Sequence, residues 1–220
     1  MPTSAPDPAA PPFRWWHLFW RAVLPPIRLL ARLCWRLRID RNTPLPPSSI
    51  IVAANHASHL DPPLVGAAID RPFRFMAVDG LWNEHWWLRL LLNLSGSIPL
   101  SRDRAPLGAM RSATSHLRAG GSVGVFPEGS VTRRWGTAEP HPAAAWLSLR
   151  TGVPIIPVAV IGSGGIYKEG TVRLRRGRVS VTVGPPIDPA DFQEMEDSSA
   201  AMMSAWANWI GGIVDEDAGG

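Results

Sequence analysis

The chain of 220 residues holds one cysteine, Cys34. A single thiol excludes an internal disulfide framework and any all-cysteine metal site, and it fits a chain that stays inside the cell. Lysine is as scarce, with Lys168 the only one among 22 basic side chains. With no nucleic-acid-binding motif beside it, that scarcity speaks against a nucleic-acid partner. Charged residues make up only 18% of the chain. No apolar run reaches the roughly 18 residues of a membrane-spanning helix. The opening MPTSAPDPAAPP lacks the basic start and apolar stretch of a signal peptide. Its proline and alanine content reads as a disordered tail over residues 1–12.

Against these gaps stand 11 tryptophans and an apolar share of 45%. The length suffices for one sizeable core. Sparse charge with many tryptophans points to a surface that meets something other than bulk water. The net charge of +4 conceals an asymmetry. Residues 1–41 carry seven arginines against two aspartates, whereas residues 188–217 carry eight acids and no base. The basic end calls for a surface partner.

Residues 13–38 read FRWWHLFWRAVLPPIRLLARLCWRLR. Arg21, Arg28, Arg32 and Arg36 fall on one face of a helix, and five aromatics crowd residues 13–20. Arginines beside Trp and Leu are the pattern of a helix lying in a membrane interface. The competing reading is a helix docked on the domain with its arginines in water. Pro25-Pro26 is expected to divide this segment into two short helices. Residues 41–49 read as a linker.

Strands and helices then alternate. Strands are expected at 50–55, 73–78, 97–100, 122–126 and 154–161, with a hairpin over 172–184 turning at Arg176-Gly177. Helices are expected at 62–69, 81–96, 106–119, 142–151 and about 190–213. This order predicts an α/β domain with a mostly parallel central sheet flanked by helices, plus the amphipathic N-terminal segment. Sites in such sheets form at the carboxyl ends of strands.

At the end of the first strand lies AANHASHLDPP, residues 53–63. Three readings are open. Asp61 before Pro62 can start a helix as its N-cap. His56, His59 and Asp61 are possible metal ligands, but no further cluster shows ligand spacing. Or His56 is a general base whose second ring nitrogen is held by Asp61. The chain has no nucleophile motif such as G-x-S-x-G, so the base would act on a hydroxyl that the substrate brings.

Three further stretches follow in order: GSIPLSR (96–102), FPEGS (126–130) and GVPIIPVAV (152–160). With NHASHLD these resemble the four motif blocks of the glycerolipid acyltransferases, the lysophosphatidate acyltransferase family. Asn55, His56, Ser58 and Asp61 match the first block, Arg102 the second, Phe126, Pro127, Glu128, Gly129 and Ser130 the third, and Val153 to Val158 the fourth. GRVSVTVGPPI (177–187) resembles the family's closing hairpin, so the likeness spans about residues 48–187.

The resemblance implies the following expectations. His56 and Asp61 are catalytic, as base and orienting carboxylate. Asn55, Ser58, Arg102 and the block from Phe126 to Ser130 bind substrate, with Arg102 and the Glu128-Gly129 turn at the acceptor's phosphate or headgroup. Strand 153–158 and helix 81–94 line the acyl chain's path. The donor is acyl-CoA or acyl carrier protein, the acceptor a lysophospholipid, first of all 1-acyl-glycerol-3-phosphate. No metal and no bound cofactor is implied. The work takes place on an anionic membrane surface, at the cytoplasmic face of the cell membrane, with the protein peripheral or monotopic. The domain spans 41–187, between the interface helices of 13–40 and a C-terminal helix with an acidic tail over 188–220. An acyltransferase for a glycolipid or an amino-acid lipid, and a membrane lipid-binding protein without turnover, are the alternatives. One departure bears on the acceptor: Val131 and His141-Pro142 stand where many members carry basic residues.

Overall fold

A computed structural model of the chain describes residues 13–41, 43–101, 106–132, 134–166 and 175–219. The expectations for residues 1–12, Arg102 and 172–174 lie outside these, as do the side chains of Trp15 and Trp16. In chain order the elements are α1 (Phe13–Trp35), β1 (Arg38–Arg41), β2 (Ile51–Ala54), α2 (Asp61–Ile69), β3 (Arg74–Val78), α3 (Leu81–Glu84), α4 (Trp86–Leu94) and β4 (Ile98–Leu100). Next come α5 (Leu107–Arg118), β5 (Val123–Val125), α6 (Ala143–Thr151), β6 (Ile155–Ile161), α7 (Ser163–Ile166), β7 (Ser180–Val183), a 3-10 turn at Pro189–Phe192, and α8 (Ser198–Gly219).

The seven strands form one sheet in the order β1-β7-β6-β2-β5-β3-β4. Neighbours run parallel except at β6/β7, which is antiparallel. The α/β expectation therefore holds. β2 sits at the centre and every residue in it is buried. Ile50, Val52 and Ala54 face one core, with α1 and α2; Ile51 and Ala53 face the other, with α5, α6 and α8. A strand covered on both faces reads as an uninterrupted apolar run, which is why alternation is missing from IIVAA. On the second face α8 buries Met202, Met203, Trp206 and Ile210, and the Trp206 indole N–H donates to the Ala53 carbonyl at 2.9 Å.

Several expectations are corrected. α1 is one helix, with Pro25 and Pro26 inside it. The carbonyls that these prolines leave without a helical donor belong to Arg21 and Ala22, both on the exposed side, where water can satisfy them. The arginine face is divided in use. Arg28 donates from Nε to the Ala67 carbonyl and pairs with Asp70, which docks α1 on α2, while Arg21 and Arg32 stay exposed; Arg36, expected on the same face, lies past the helix end with φ +49° and is exposed. Arg38–Arg41, expected at the junction of helix and linker, is an edge strand. The 81–96 helix is broken by His85, whose backbone is extended. Of the expected hairpin over 172–184, the second arm is present from Ser180 as β7, which pairs with β6 and β1, while residues 175–179 lie outside any strand and 172–174 lie outside the described residues. The C-terminal helix begins at Ser198 and runs on to Gly219.

Candidate active site

β2, β5 and β3 end at one edge of the sheet; the residues that follow β2 and β5 build the site, and Phe75 joins it from within β3. Asn55 comes first after β2. Its Nδ2 donates to the Val160 carbonyl at 2.9 Å, and its Oδ1 accepts the Val160 N–H at 2.6 Å. The side chain thus replaces a rung of the β2/β6 ladder just where β2 leaves the sheet. Buried and engaged at both ends of its amide, Asn55 holds the strand end in place.

The chain then turns back on Asp61, whose carboxylate is fully buried. One oxygen, Oδ2, takes three donors: the Ala57 N–H and the Ser58 N–H, each at 2.7 Å, and the His56 ring Nδ1 at 3.0 Å. Asp61 is therefore not an N-cap. It is the first residue of α2, after Leu60, and bonds backward into the turn. Its place at the helix N-terminus favours a carboxylate. Ser58 is buried as well, and its Oγ accepts the Leu60 N–H at 3.2 Å. That is a turn-forming role.

A carboxylate only accepts, so the shared hydrogen belongs to His56 Nδ1 and the neutral ring keeps Nε2 free to take a proton. The ring lies on Phe126, with centroids 4.1 Å apart and planes at 21°. Phe126 lies in turn on Phe75 at 5.3 Å, Phe75 meets Phe73 at 4.6 Å, and Phe73 stacks on Trp20 of α1 at 5.4 Å. A continuous aromatic row connects the histidine to the N-terminal helix. Gly124 makes room for it, since a Cβ there would come within 2.7 Å of both Phe73 and Phe75.

The FPEGS stretch grips the histidine from the other side. Glu128 Oε1 accepts the His56 backbone N–H at 2.9 Å, and the Thr132 N–H donates to the His56 carbonyl at 2.6 Å. Burial pushes the Glu128 carboxyl above its ordinary range, while hydrogen bonds from the His56 backbone and the Thr132 side chain act the other way. Pro127 is buried and its carbonyl accepts the His141 N–H at 2.7 Å. Gly129 has φ +70°, and a Cβ would come within 2.8 Å of the His141 ring. Both conditions select glycine. Ser130 is exposed. A cavity of about 490 Å³ opens beside Glu128, lined also by Trp135, Glu139, Trp206 and Asp215.

The structure thus joins His56, Asp61, Phe126 and Glu128 in one constellation. His59 is exposed, its ring edge-on to His56 with centroids 6.4 Å apart. Strand 153–158, expected to line an acyl path, contributes Ile155, Ile156 and Val158 wholly to the core. Of the stretch 81–94, Trp86, Trp87, Leu90, Leu91 and Leu94 are exposed, while Leu88 and Leu92 are half-buried. The sequence did not single out Phe75, and it marked His141 only as a departure from a basic position and Thr132 only as a turn former. Their contributions come from ring stacking and backbone bonds, for which no motif spacing exists. Among the described residues no three of His, Cys, Asp and Glu meet in a way that could hold a metal ion, and no helix is long and apolar enough to cross a membrane.

This arrangement coincides with a known family: residues 36–161 match the Acyltransferase family. The chain belongs to that family. The match includes every residue of the constellation and stops before β7 and α8. Among relatives, a Mycoplasma pneumoniae protein named "Probable 1-acyl-sn-glycerol-3-phosphate acyltransferase" is 26% identical over 172 residues, covering 71% of this chain and 64% of that protein. A Bacillus subtilis 1-acyl-sn-glycerol-3-phosphate acyltransferase is 24% identical over 187 residues, covering 81% of this chain and 88% of its own. The crystal structure of the 1-acyl-sn-glycerophosphate acyltransferase PlsC from Thermotoga maritima superposes with a TM-score of 0.68 at 20% identity, over 88% of this chain and 79% of that one. The last likeness bears on the fold. This acyltransferase-family chain spans less than two thirds of the length of the Mycoplasma relative.

Proposed function

We propose that this protein transfers a fatty acyl group from acyl-CoA or acyl carrier protein to the free hydroxyl of a lysophospholipid, 1-acyl-glycerol-3-phosphate in the first place. The observation that carries the reading is the His56 Nδ1–Asp61 Oδ2 pair at 3.0 Å. It is a base with a fixed tautomer, and its position at the strand edge suits a hydroxyl supplied from outside. Nε2 takes the hydroxyl proton as the oxygen attacks the thioester carbonyl. The C–S bond then breaks, and the imidazolium returns the proton to the leaving thiolate. Asp61 stabilises the imidazolium between these steps. General-base assistance of this kind contributes about 10²–10⁴-fold.

Arg102 is the proposed phosphate contact, because a guanidinium offers two parallel donors. The enzyme works at the cytoplasmic face of the membrane, held there by the exposed arginines of α1 and its neighbouring apolar side chains.

The test is an assay of the purified protein with labelled acyl-CoA and acyl carrier protein against a panel of lyso-lipids, read by product mass. Diacylglycerol phosphate is the expected product. Turnover only with a glycolipid or amino-acid lipid would replace the acceptor, and no turnover with any lyso-lipid would overturn the reading. Arg102→Ala should raise the acceptor's KM well above its effect on the donor's, with Arg102→Lys rescuing only in part. An equal rise in both would remove Arg102 from the phosphate site.

A further inference from the structure

α4 is an unusual helix for a domain of this kind, because none of its residues is buried. Trp86, Leu90 and Leu94 recur four apart, and Trp87 and Leu91 fill the adjoining row. All five are exposed, Trp86 by 79%. Leu88 and Leu92, on the opposite side, are half-buried and face the domain. A nine-residue helix is marginal in water without a packed face, and here the wider apolar face points outward.

The neighbouring helix repeats the pattern. α1 buries Trp20, Leu24, Ala31 and Trp35 against the domain, and exposes Leu18, Leu29, Leu30 and Leu33 on the other side. α1 and α4 touch, so the two outward faces adjoin. Exposed Arg21 and Arg32 flank the leucines of α1, exposed Arg89 flanks the tryptophans of α4, and neither helix carries an acid. The chain leaves the sheet for α3 and α4 at the carboxyl end of β3, the edge on which His56 lies.

We infer that α4 is a lipid-inserting element: Trp86, Trp87, Leu90, Leu91 and Leu94 enter the headgroup–acyl boundary of the bilayer beside α1. Apolar side chains bordered by arginine, with tryptophan among them, match that boundary in both hydrophobicity and charge. Within both helices every charged side chain is basic, with Glu84 exposed only ahead of α4, and that charge suits an anionic lipid surface. The element also brings the bilayer to the His56 edge, so that an acceptor can present its hydroxyl without leaving the membrane. That last consequence rests on the acyl-transfer reading; the insertion itself does not.

The experiment uses the full chain with Cys34, which is exposed, replaced by serine. A single cysteine is placed at Leu90 or at Leu33 and labelled with the environment-sensitive dye NBD. Vesicles are phosphatidylcholine alone, or phosphatidylcholine with an equal part of phosphatidylglycerol, at low and high salt. The label at 90 is expected to brighten and shift to the blue with anionic vesicles, and to remain so at high salt. A label silent at 90 but responsive at 33 would overturn the proposal in favour of α1 alone. A response at 90 that follows protein concentration without lipid would overturn it in favour of a second copy of the chain. In a separate arm, the triple variant Trp86→Ser/Leu90→Ser/Leu94→Ser should lose about a hundredfold in vesicle partition with an unchanged thermal melt. It should keep wild-type turnover on a water-soluble short-chain acceptor and lose turnover on vesicle-borne acceptor. Unchanged partition would overturn the proposal. Absence of turnover on both acceptors in the unaltered protein would instead remove the acyl-transfer reading and leave the label to decide insertion.

Discussion

Glu128 and His56 are 72 positions apart in sequence, yet Glu128 Oε1 accepts the His56 backbone N–H at 2.9 Å. Two loops, one from β2 and one from β5, are thereby fastened at the residue that carries the chemistry. The acidic residue of FPEGS acts on the histidine's backbone, which makes it a positioning residue for the base.

A pH-dependent consequence follows for Glu128. Burial raises its carboxyl above the ordinary range. A carboxyl raised in the folded state contributes stability below its unfolded pKa, and that contribution is lost as pH rises through the folded value. Glu128→Gln keeps an oxygen for the His56 N–H and removes the buried charge. Its melting temperature should equal or exceed that of the wild type at neutral pH, and the gain should shrink as pH falls into the acid range. Glu128→Ala leaves the His56 N–H without that acceptor and should cost about 1–3 kcal/mol. Melts across pH check both, and a Gln variant less stable than Ala would refute the assignment.

His56→Ala should abolish turnover and lower the melt only modestly, because Asp61 keeps the Ala57 and Ser58 N–H donors when the ring is removed. His59→Ala should keep most activity. Asp61→Asn can still accept from Ala57 and Ser58 through its amide oxygen, so the turn should survive. It no longer supports the imidazolium, and kcat should fall at least about a hundredfold. Steady-state kinetics with parallel melts decide the matter; a fully active Asp61→Asn would reduce Asp61 to a turn former.

Asn55→Ala strips two partners from the buried backbone of Val160. Each orphaned group costs about 1–3 kcal/mol, so urea unfolding should show a loss of several kcal/mol. The loss of activity should track the loss of folded protein, with the KM of the acceptor unchanged for the folded fraction. A selective rise in that KM with normal stability would return Asn55 to substrate binding.

The arginines of α1, together with Arg36 just past its end, should separate into two classes. Arg28→Gln breaks the bond to the Ala67 carbonyl and the pair with Asp70, so it should lower stability with little effect on vesicle binding. Replacing Arg21, Arg32 and Arg36 together by Gln should leave the melt intact and weaken binding to anionic vesicles at low salt, by about 1 kcal/mol for each arginine. Co-sedimentation alongside thermal melts checks the division. Identical behaviour of the two sets would mean that the helix acts as one surface.

Local chemistry made much of this protein legible from its sequence. Strand–helix alternation carried the α/β sheet, because a strand buried on both faces must be apolar throughout and a helix against it must show one apolar side. NHASHLD at the end of such a strand located the site, since titratable groups gather where backbone leaves a parallel sheet. Tertiary structure alone decided what depends on partners distant in sequence. Asn55 finds a partner for both ends of its amide in Val160, 105 positions later, which nothing near it in sequence announces. Asp61 had the sequence of an N-cap, but its carboxylate gained three backward donors that no forward cap could match. Pro25-Pro26 carried the signal of a break, yet the orphaned carbonyls fell on the solvent side. Arg28 belonged to the same helical row as Arg21 and Arg32 and was drawn to Asp70 by docking. A sequence specifies which groups need partners; only the packed chain determines which partners come within reach.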